Sequence, residues 1–126
     1  MAHFQMYAHG TKPPVRWRLV SDNNRELGRG QVEYDDVESC RLGVKQFVYR
    51  LGEVSGGLVE AGPNRWRWQA VLDGVVVAQS SHTFDRRNRC GSARLAFLQL
   101  APVARLRNEV LDIDTRAYRY PKRDAT

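Results

Sequence analysis

Three arginines stand within four residues in Asp85-Arg86-Arg87-Asn88-Arg89, immediately before a stretch with helical spacing. Cations beside the positive end of a helix dipole are unfavourable, by a few tenths to about 1 kcal/mol each. A bound anion reverses that penalty, because the first turn of a helix leaves backbone N–H groups free. Arg86, Arg87 and Arg89 are therefore a candidate phosphate-contacting patch, and solvated surface arginines are the plain alternative. Arg65 and Arg67 alternate with Trp66 and Trp68, as Arg16 and Arg18 flank Trp17, so each strand-like run carries a possible basic stripe. Further along, Arg116, Arg119, Lys122 and Arg123 interleave with Tyr118 and Tyr120, a mixture that suits single-stranded nucleic acid and equally suits a solvated tail.

Other chemistry finds little support. His3, His9 and His82 have no metal-ligand spacing to one another or to Cys40 and Cys90. The two cysteines make no disulfide framework, and both fall on inward helical faces, where thiols are inert packing groups. Gly28-Arg29-Gly30 does not join a strand directly to a helix as a phosphate loop must. Asp112 and Asp114 read as a solvated helix end. No catalytic residue, metal or cofactor is expected.

The elements that position these residues come from a duplication. Val15-Arg16-Trp17-Arg18-Leu19 matches Trp66-Arg67-Trp68-Gln69-Ala70 at an offset of 51, and Tyr34 and Cys40 match Phe84 and Cys90 at an offset of 50. Cys40, Gly43 and Phe47 likewise fall opposite Cys90, Ala93 and Phe97. Each unit opens with a short strand, Phe4–Ala8 or Leu58–Glu60, and a Gly/Pro turn. The second strands alternate with period two, placing Val15, Trp17 and Leu19, or Trp66, Trp68 and Ala70, on a buried face. Asp22-Asn23-Asn24 and Asp73-Gly74 supply hairpin turns, leading to third strands near Arg25–Gly30 and Val75–Ser80. Asp35 caps a first helix, with Glu38 in the reciprocal position, and Gly52 stops it. Asp85 caps a second helix whose apolar face includes Cys90, Ala93, Leu95, Phe97, Leu98 and Ala101, limited by Pro102. Val103, Leu106, Val110 and Ile113 predict a third helix, followed by a basic tail ordered only by a partner.

The expectation is an α+β fold. Two tandem β-β-β-α repeats, about residues 1–54 and 57–101, share one core as a single domain, with antiparallel sheet packed by helices. Residues 102–126 form a C-terminal helix and tail.

These residues resemble the YegP-like family of small bacterial proteins. That family repeats a strand like Phe4-Gln5-Met6-Tyr7, a Trp-Arg-Trp run, a Gly-containing hairpin, an Ala-x-Ser segment and an aromatic residue before a helix. Arg16-Trp17-Arg18-Leu19 and Tyr34 match in the first unit. Trp66-Arg67-Trp68, Asp73-Gly74, Ala78-Gln79-Ser80 and Phe84 match in the second. Val15 departs from the first Trp of the motif, and Gly28-Arg29-Gly30 departs from Ala-x-Ser. The resemblance spans about residues 4–101 and implies the fold, with no catalytic role attached.

Composition sets the rest. The 126 residues carry 20 basic and 14 acidic groups, a net charge of +6. Residues 1–56 hold 8 basic and 7 acidic groups, whereas residues 57–126 hold 12 and 7. A one-sided basic excess favours an anionic partner. No apolar run reaches the roughly 20 residues that span a bilayer, and the start has no charged segment leading an apolar one, so a cytoplasmic location is expected. The expected function is a non-enzymatic basic binding module for nucleic acid or another anion. The alternative is a protein-interaction module or homodimer, using the exposed edges of the sheet.

Overall fold

The computed structural model describes residues 1–10 and 12–119. The strands are β1 (His3–His9), β2 (Lys12–Val20), β3 (Glu26–Gly30), β4 (Leu58–Glu60), β5 (Trp66–Leu72), β6 (Val75–Gln79), β7 (Arg105–Asp112) and β8 (Tyr118–Arg119). Helix α1 (Val37–Tyr49) follows β3, and α2 (Arg87–Leu100) follows β6. Both β-β-β-α units are therefore present. They join in one sheet of order β4-β5-β6-β3-β2-β1-β7-β8.

The two units meet through β3 and β6, which run antiparallel. Arg29 pairs with Gln79, its own counterpart fifty residues on. A residue facing its own repeat marks a local twofold, the geometry of an isologous contact. The second strands keep the same relation: Leu19 pairs with Gly28 as Ala70 pairs with Ala78. Val15 bridges Tyr34 as Trp66 bridges Phe84. The offset of 51 in these strands is thus the structural one.

One face of the sheet is covered by the helices. Phe4, Trp17, Leu19, Trp68 and Ala70 are buried there against Cys40, Val44, Phe47, Cys90 and Phe97. The aromatic rings form a continuous line. Phe4 meets Trp17 edge-on at 5.4 Å, Trp17 meets Phe47 at 5.2 Å, Phe47 meets Phe97 at 6.0 Å and Phe97 meets Trp68 at 4.6 Å. Phe47 and Phe97 are counterparts, so the line crosses the twofold. Each such ring pair contributes about 0.5–1.5 kcal/mol beyond burial of its area.

Several boundaries differ from the sequence reading. Asp36, not Asp35, caps α1: its side chain accepts from the Ser39 N–H. That backbone N–H and the Ser39 hydroxyl hold the Asp36 carboxyl below its usual value. Asp85 does not cap α2, because the cap position is Arg86, which makes no side-chain cap bond. Gly52 does not end α1. The helix ends at Arg50 and tightens into a 3-10 turn, Leu51–Glu53. Leu95 does not belong to the apolar face of α2: five residues after Cys90 it lies about 140° around the helix from it, and it is 57% exposed.

The predicted third helix is strand β7, lying parallel to β1. The spacing of Val103, Leu106, Val110 and Ile113 was a false period. Arg105-Leu106-Arg107-Asn108-Glu109-Val110 also supports extended chain, and the open edge of β1 decides it. Apart from that β1–β7 pair the described strands pair antiparallel, β8 with β7 included. Asp112 is no solvated helix end. It is 1% exposed, and its carboxylate accepts from the N–H groups of Gly10 and Asp114. It thereby ties the β1–β2 turn to the turn after β7.

Glycines form the floor beneath the aromatic line. A Cβ on Gly28 would lie 2.6 Å from Trp68 and 2.9 Å from Phe97, and one on Gly30 would strike the Trp17 indole. Gly28→Ala should therefore destabilise the protein by about 1–3 kcal/mol through overpacking, read as a lower urea midpoint. Ala78, the counterpart of Gly28, already carries that methyl.

Candidate basic end and its acidic counterpart

The bridge between Trp66 and Phe84 places the start of β5 beside the entry to α2. It brings Arg65 close in the fold to Arg86, Arg87 and Arg89, and all four are exposed. Arg87 lies over the partly buried Trp66 ring, 5.4 Å from its centroid. That stack anchors one arginine of the group on the scaffold. Among the described residues, none of the four has an ion-pair partner.

Arg67 sits on the opposite face of β5, since Trp66 and Trp68 point to the helices. Its counterpart Arg16 pairs with Glu33, whereas the residue matching Glu33 in the second unit is Thr83. Among the described residues Arg67 has no carboxylate partner, and its enclosed Nε has no hydrogen-bond partner.

The same exchange runs through the whole segment. Residues 33–39 carry four carboxylates and no base; residues 83–89 carry three arginines and one carboxylate. One fold position is therefore acidic in the first unit and basic in the second. At α1 the acids are consumed locally: Asp36 caps the helix, Glu33 holds Arg16, and Glu38 bonds Arg41. At α2 the cap residue makes no side-chain bond, the Arg89 N–H donates only to its neighbour Asn88 Oδ1, and the guanidiniums of Arg86, Arg87 and Arg89 are exposed with no ion pair among the described residues.

The remaining sequence candidates lie elsewhere. Arg116 follows β7, with a left-handed backbone of φ 63°, and Arg119 belongs to β8 at the far edge of the sheet from β4 and β5. They do not join the basic end. The tail is thus structured as far as Arg119 by pairing with β7; Tyr120, Lys122 and Arg123 lie outside the described residues.

Arg16 and Arg18 do not form a free basic stripe either. Arg18 bonds Glu26 at 2.9 Å and the Gln5 side chain at 2.8 Å, and Arg29 bonds Glu26 at 2.6 Å. Burial alone would raise the Glu26 carboxyl, but the neighbouring Ser81 hydroxyl and the bonds from Arg29 and Arg18 outweigh it and hold the group below its usual value. Sequence reasoning missed Glu26, Arg29 and the Glu33-to-Thr83 exchange. The last was legible by aligning the two units one turn earlier than the helices.

The other reactive groups are quiet. Cys40 and Cys90 are buried and free, and burial pushes the Cys40 thiol up to about 12. His9 pairs with Asp114 at 2.9 Å. No group of three metal-ligating side chains occurs among the described residues, and no helix there is long and apolar enough to cross a membrane. A cleft of about 360 Å³ lies between α1 and the β5–β6 hairpin, floored by Trp17 and Phe47. Arg50, held by Asp73 and Glu53, stands at its rim. No protein-family model, curated protein or solved structure matches the chain.

Two outcomes are expected. Arg86→Asp gives α2 the cap that α1 has, so stability should rise by about 1 kcal/mol, measured by urea unfolding, while affinity for polyanions falls. Glu26 has a lowered pKa, so its contribution is complete above the ordinary carboxylate value and is lost as pH falls through the lower folded value. Glu26→Gln should therefore remove part of the wild-type loss of stability on acidification, seen in denaturation midpoints from pH 7 to pH 3.

Proposed function

We propose that this protein is a non-enzymatic binding module that holds an anionic partner, most directly nucleic acid, at its basic end. The observation that carries the reading is the charge inversion between equivalent positions of the two units. The fold requires no arginine at the start of α2, because the first unit builds the same helix entry with acids. Among the described residues Arg65, Arg86, Arg87 and Arg89 have no ion-pair partner, and Arg67 adds a cation on the opposite face of β5. Phosphates recover the energy of that arrangement by meeting free backbone N–H groups and guanidinium forks together. The order of strands, turns and aromatics also supports the chain as a divergent YegP-like protein. That likeness bears on architecture and does not choose the partner.

The second reading is self-association through a sheet edge. The short strand β4 leaves one side unpaired, and Val59 on it is partly exposed. Its three residues give a small template, so nucleic acid takes precedence.

The test is a salt titration with single-stranded RNA and duplex DNA. Arg86→Ser, Arg87→Ser and Arg89→Ser combined should weaken binding at least tenfold and lower the slope of log affinity against log salt by about two to three. An unchanged slope, in a protein that remains folded, would remove the basic end from the function. A nucleic-acid-free dimer in light scattering would favour the second reading.

A further inference from the structure

The face of the sheet away from the helices holds a cavity of about 300 Å³. Gln5 and Arg18 line it from the sheet itself. They pair across β1 and β2, and they alternate along those strands with Phe4, Trp17 and Leu19, which face the helices. Asn24 and Glu26 line it from the β2–β3 hairpin, and Arg116 and Tyr118 from the β7–β8 hairpin. Ligand pockets run from roughly 300 to 1,000 Å³, so this one suits a small molecule.

The lining holds more donors than acceptors. Gln5, 3% exposed, accepts from Arg18 Nε and donates to the Tyr118 hydroxyl at 3.2 Å. That hydroxyl is the acceptor of the bond, so its own proton is still to be given. Arg18 gives Nη1 to Glu26 at 2.9 Å, whereas its Nη2 has no bond among the described residues and is not enclosed. Arg116 has no ion-pair partner among those residues. A turn brings it to the cavity: its backbone is left-handed at φ 63°, and its N–H donates to the Asp112 carbonyl at 2.7 Å. Glu26 is the carboxylate of the lining, and Arg29 draws on it too, at 2.6 Å. Three guanidiniums thus stand around one carboxylate, and the excess charge is positive.

We infer that this cavity binds a small hydroxylated molecule by an oxyanionic group, carboxylate or phosphate, set between Arg18 and Arg116. The oxyanion accepts from Arg116, from Arg18 Nη2 and from the Tyr118 hydroxyl. Charge-assisted bonds of this type are about twice as strong as neutral ones. The Asn24 amide and the remaining lone pairs of Glu26 meet the hydroxyls of the body. Glu26 is not displaced, and it holds the Arg18 fork in place. The basic end lies beyond β2, β3 and β6 on the same sheet, so the two sites are separate. His3 lines the cavity as well. Burial and then Arg107 hold its imidazole below the usual pKa; the N-terminal amine and Arg18 act the same way, and Glu109 opposes them. A negative charge bound in the cavity favours the imidazolium and raises that pKa.

The experiment is an NMR titration of the isotopically labelled full chain with ribose 5-phosphate, with gluconate and with free ribose, each against sodium chloride of matched ionic strength. The expected result is saturable shifts at Gln5, Asn24 and Tyr118 with the anions, and none with ribose or chloride. The tighter of the two anions names the group as phosphate or carboxylate. With the anion bound, the His3 ring signals should titrate at higher pH, while those of His82, outside the cavity, stay as they were. Arg116→Asn should weaken binding by about tenfold or more. Asparagine tolerates the left-handed backbone there, so the turn is kept. Tyr118→Phe should weaken binding in the same direction. The combined Arg86→Ser, Arg87→Ser and Arg89→Ser variant should bind as the wild type does. Loss of the response in that variant would assign the anion to the basic end and overturn the inference. So would an equal response to chloride, no response to either anion, or unchanged affinity in Arg116→Asn.

Discussion

The contact between Phe47 and Phe97 is the constraint on which the rest of the structure depends. Each belongs to one unit, and they meet where the two units are related by the local twofold. A single unit offers a helix and three short strands, too little apolar surface to offset the entropy of ordering roughly fifty residues. Joined, the two helices bring Phe47 and Phe97 together over β3 and β6, and Trp17 and Trp68 close the line on either side. That line fits only because the central strands carry almost no side chain beneath it. Gly28, Gly30 and Ala78 are the complement of the rings, in the sense that a close-packed interior fixes volumes on both sides of a contact.

The helix-free face is solved by a different means. No helix among the described residues covers it, yet Gln5 and Tyr7 are nearly inaccessible there. Arg18 lies over the Tyr7 ring and bonds the Gln5 side chain, which Tyr118 meets from the other side, so an amphipathic side chain does the covering. Glu26 sets the heads of Arg18 and Arg29 in position. Two faces of one sheet are thus built from different interactions, aromatic packing on one and a bonded arginine–carboxylate network on the other.

What was legible in the sequence follows from this division. Period-two alternation and turn residues place strands wherever one face is buried, so Trp17, Leu19, Trp68 and Ala70 were assigned from pattern alone. The duplication located both helices and the shared core. Pattern failed where tertiary pairing decides. The segment from Arg105 to Asp112 has apolar residues compatible with either period, and only the open edge of β1 makes it a strand. The caps shifted by one residue because Asp35 and Asp36 are adjacent and equally suited; geometry alone selects the one that reaches Ser39. The basic end was visible as a composition anomaly. The cavity beside Gln5 was not, because it needs β1, β2 and two hairpins together, and residues distant in sequence carry no mark of lining one space.

A duplicated fold gives each feature an internal control. Where both units keep a residue type at an equivalent position, packing is sufficient reason for it: the cysteines, the paired phenylalanines and the tryptophans over the small-residue floor are of this kind. Where they diverge within the same backbone, packing cannot be the reason, because the other unit shows the fold forming without that choice. The entry to α1 uses its acids for capping and ion pairing, and it is electrostatically closed. The entry to α2 keeps the same backbone, omits the cap, replaces Glu33 with Thr83 and accumulates guanidiniums against the dipole. Stability alone favours the first arrangement on every count. The second arrangement, in a chain that carries the better solution fifty residues earlier, is the physical ground for proposing that its charge serves a partner rather than the fold.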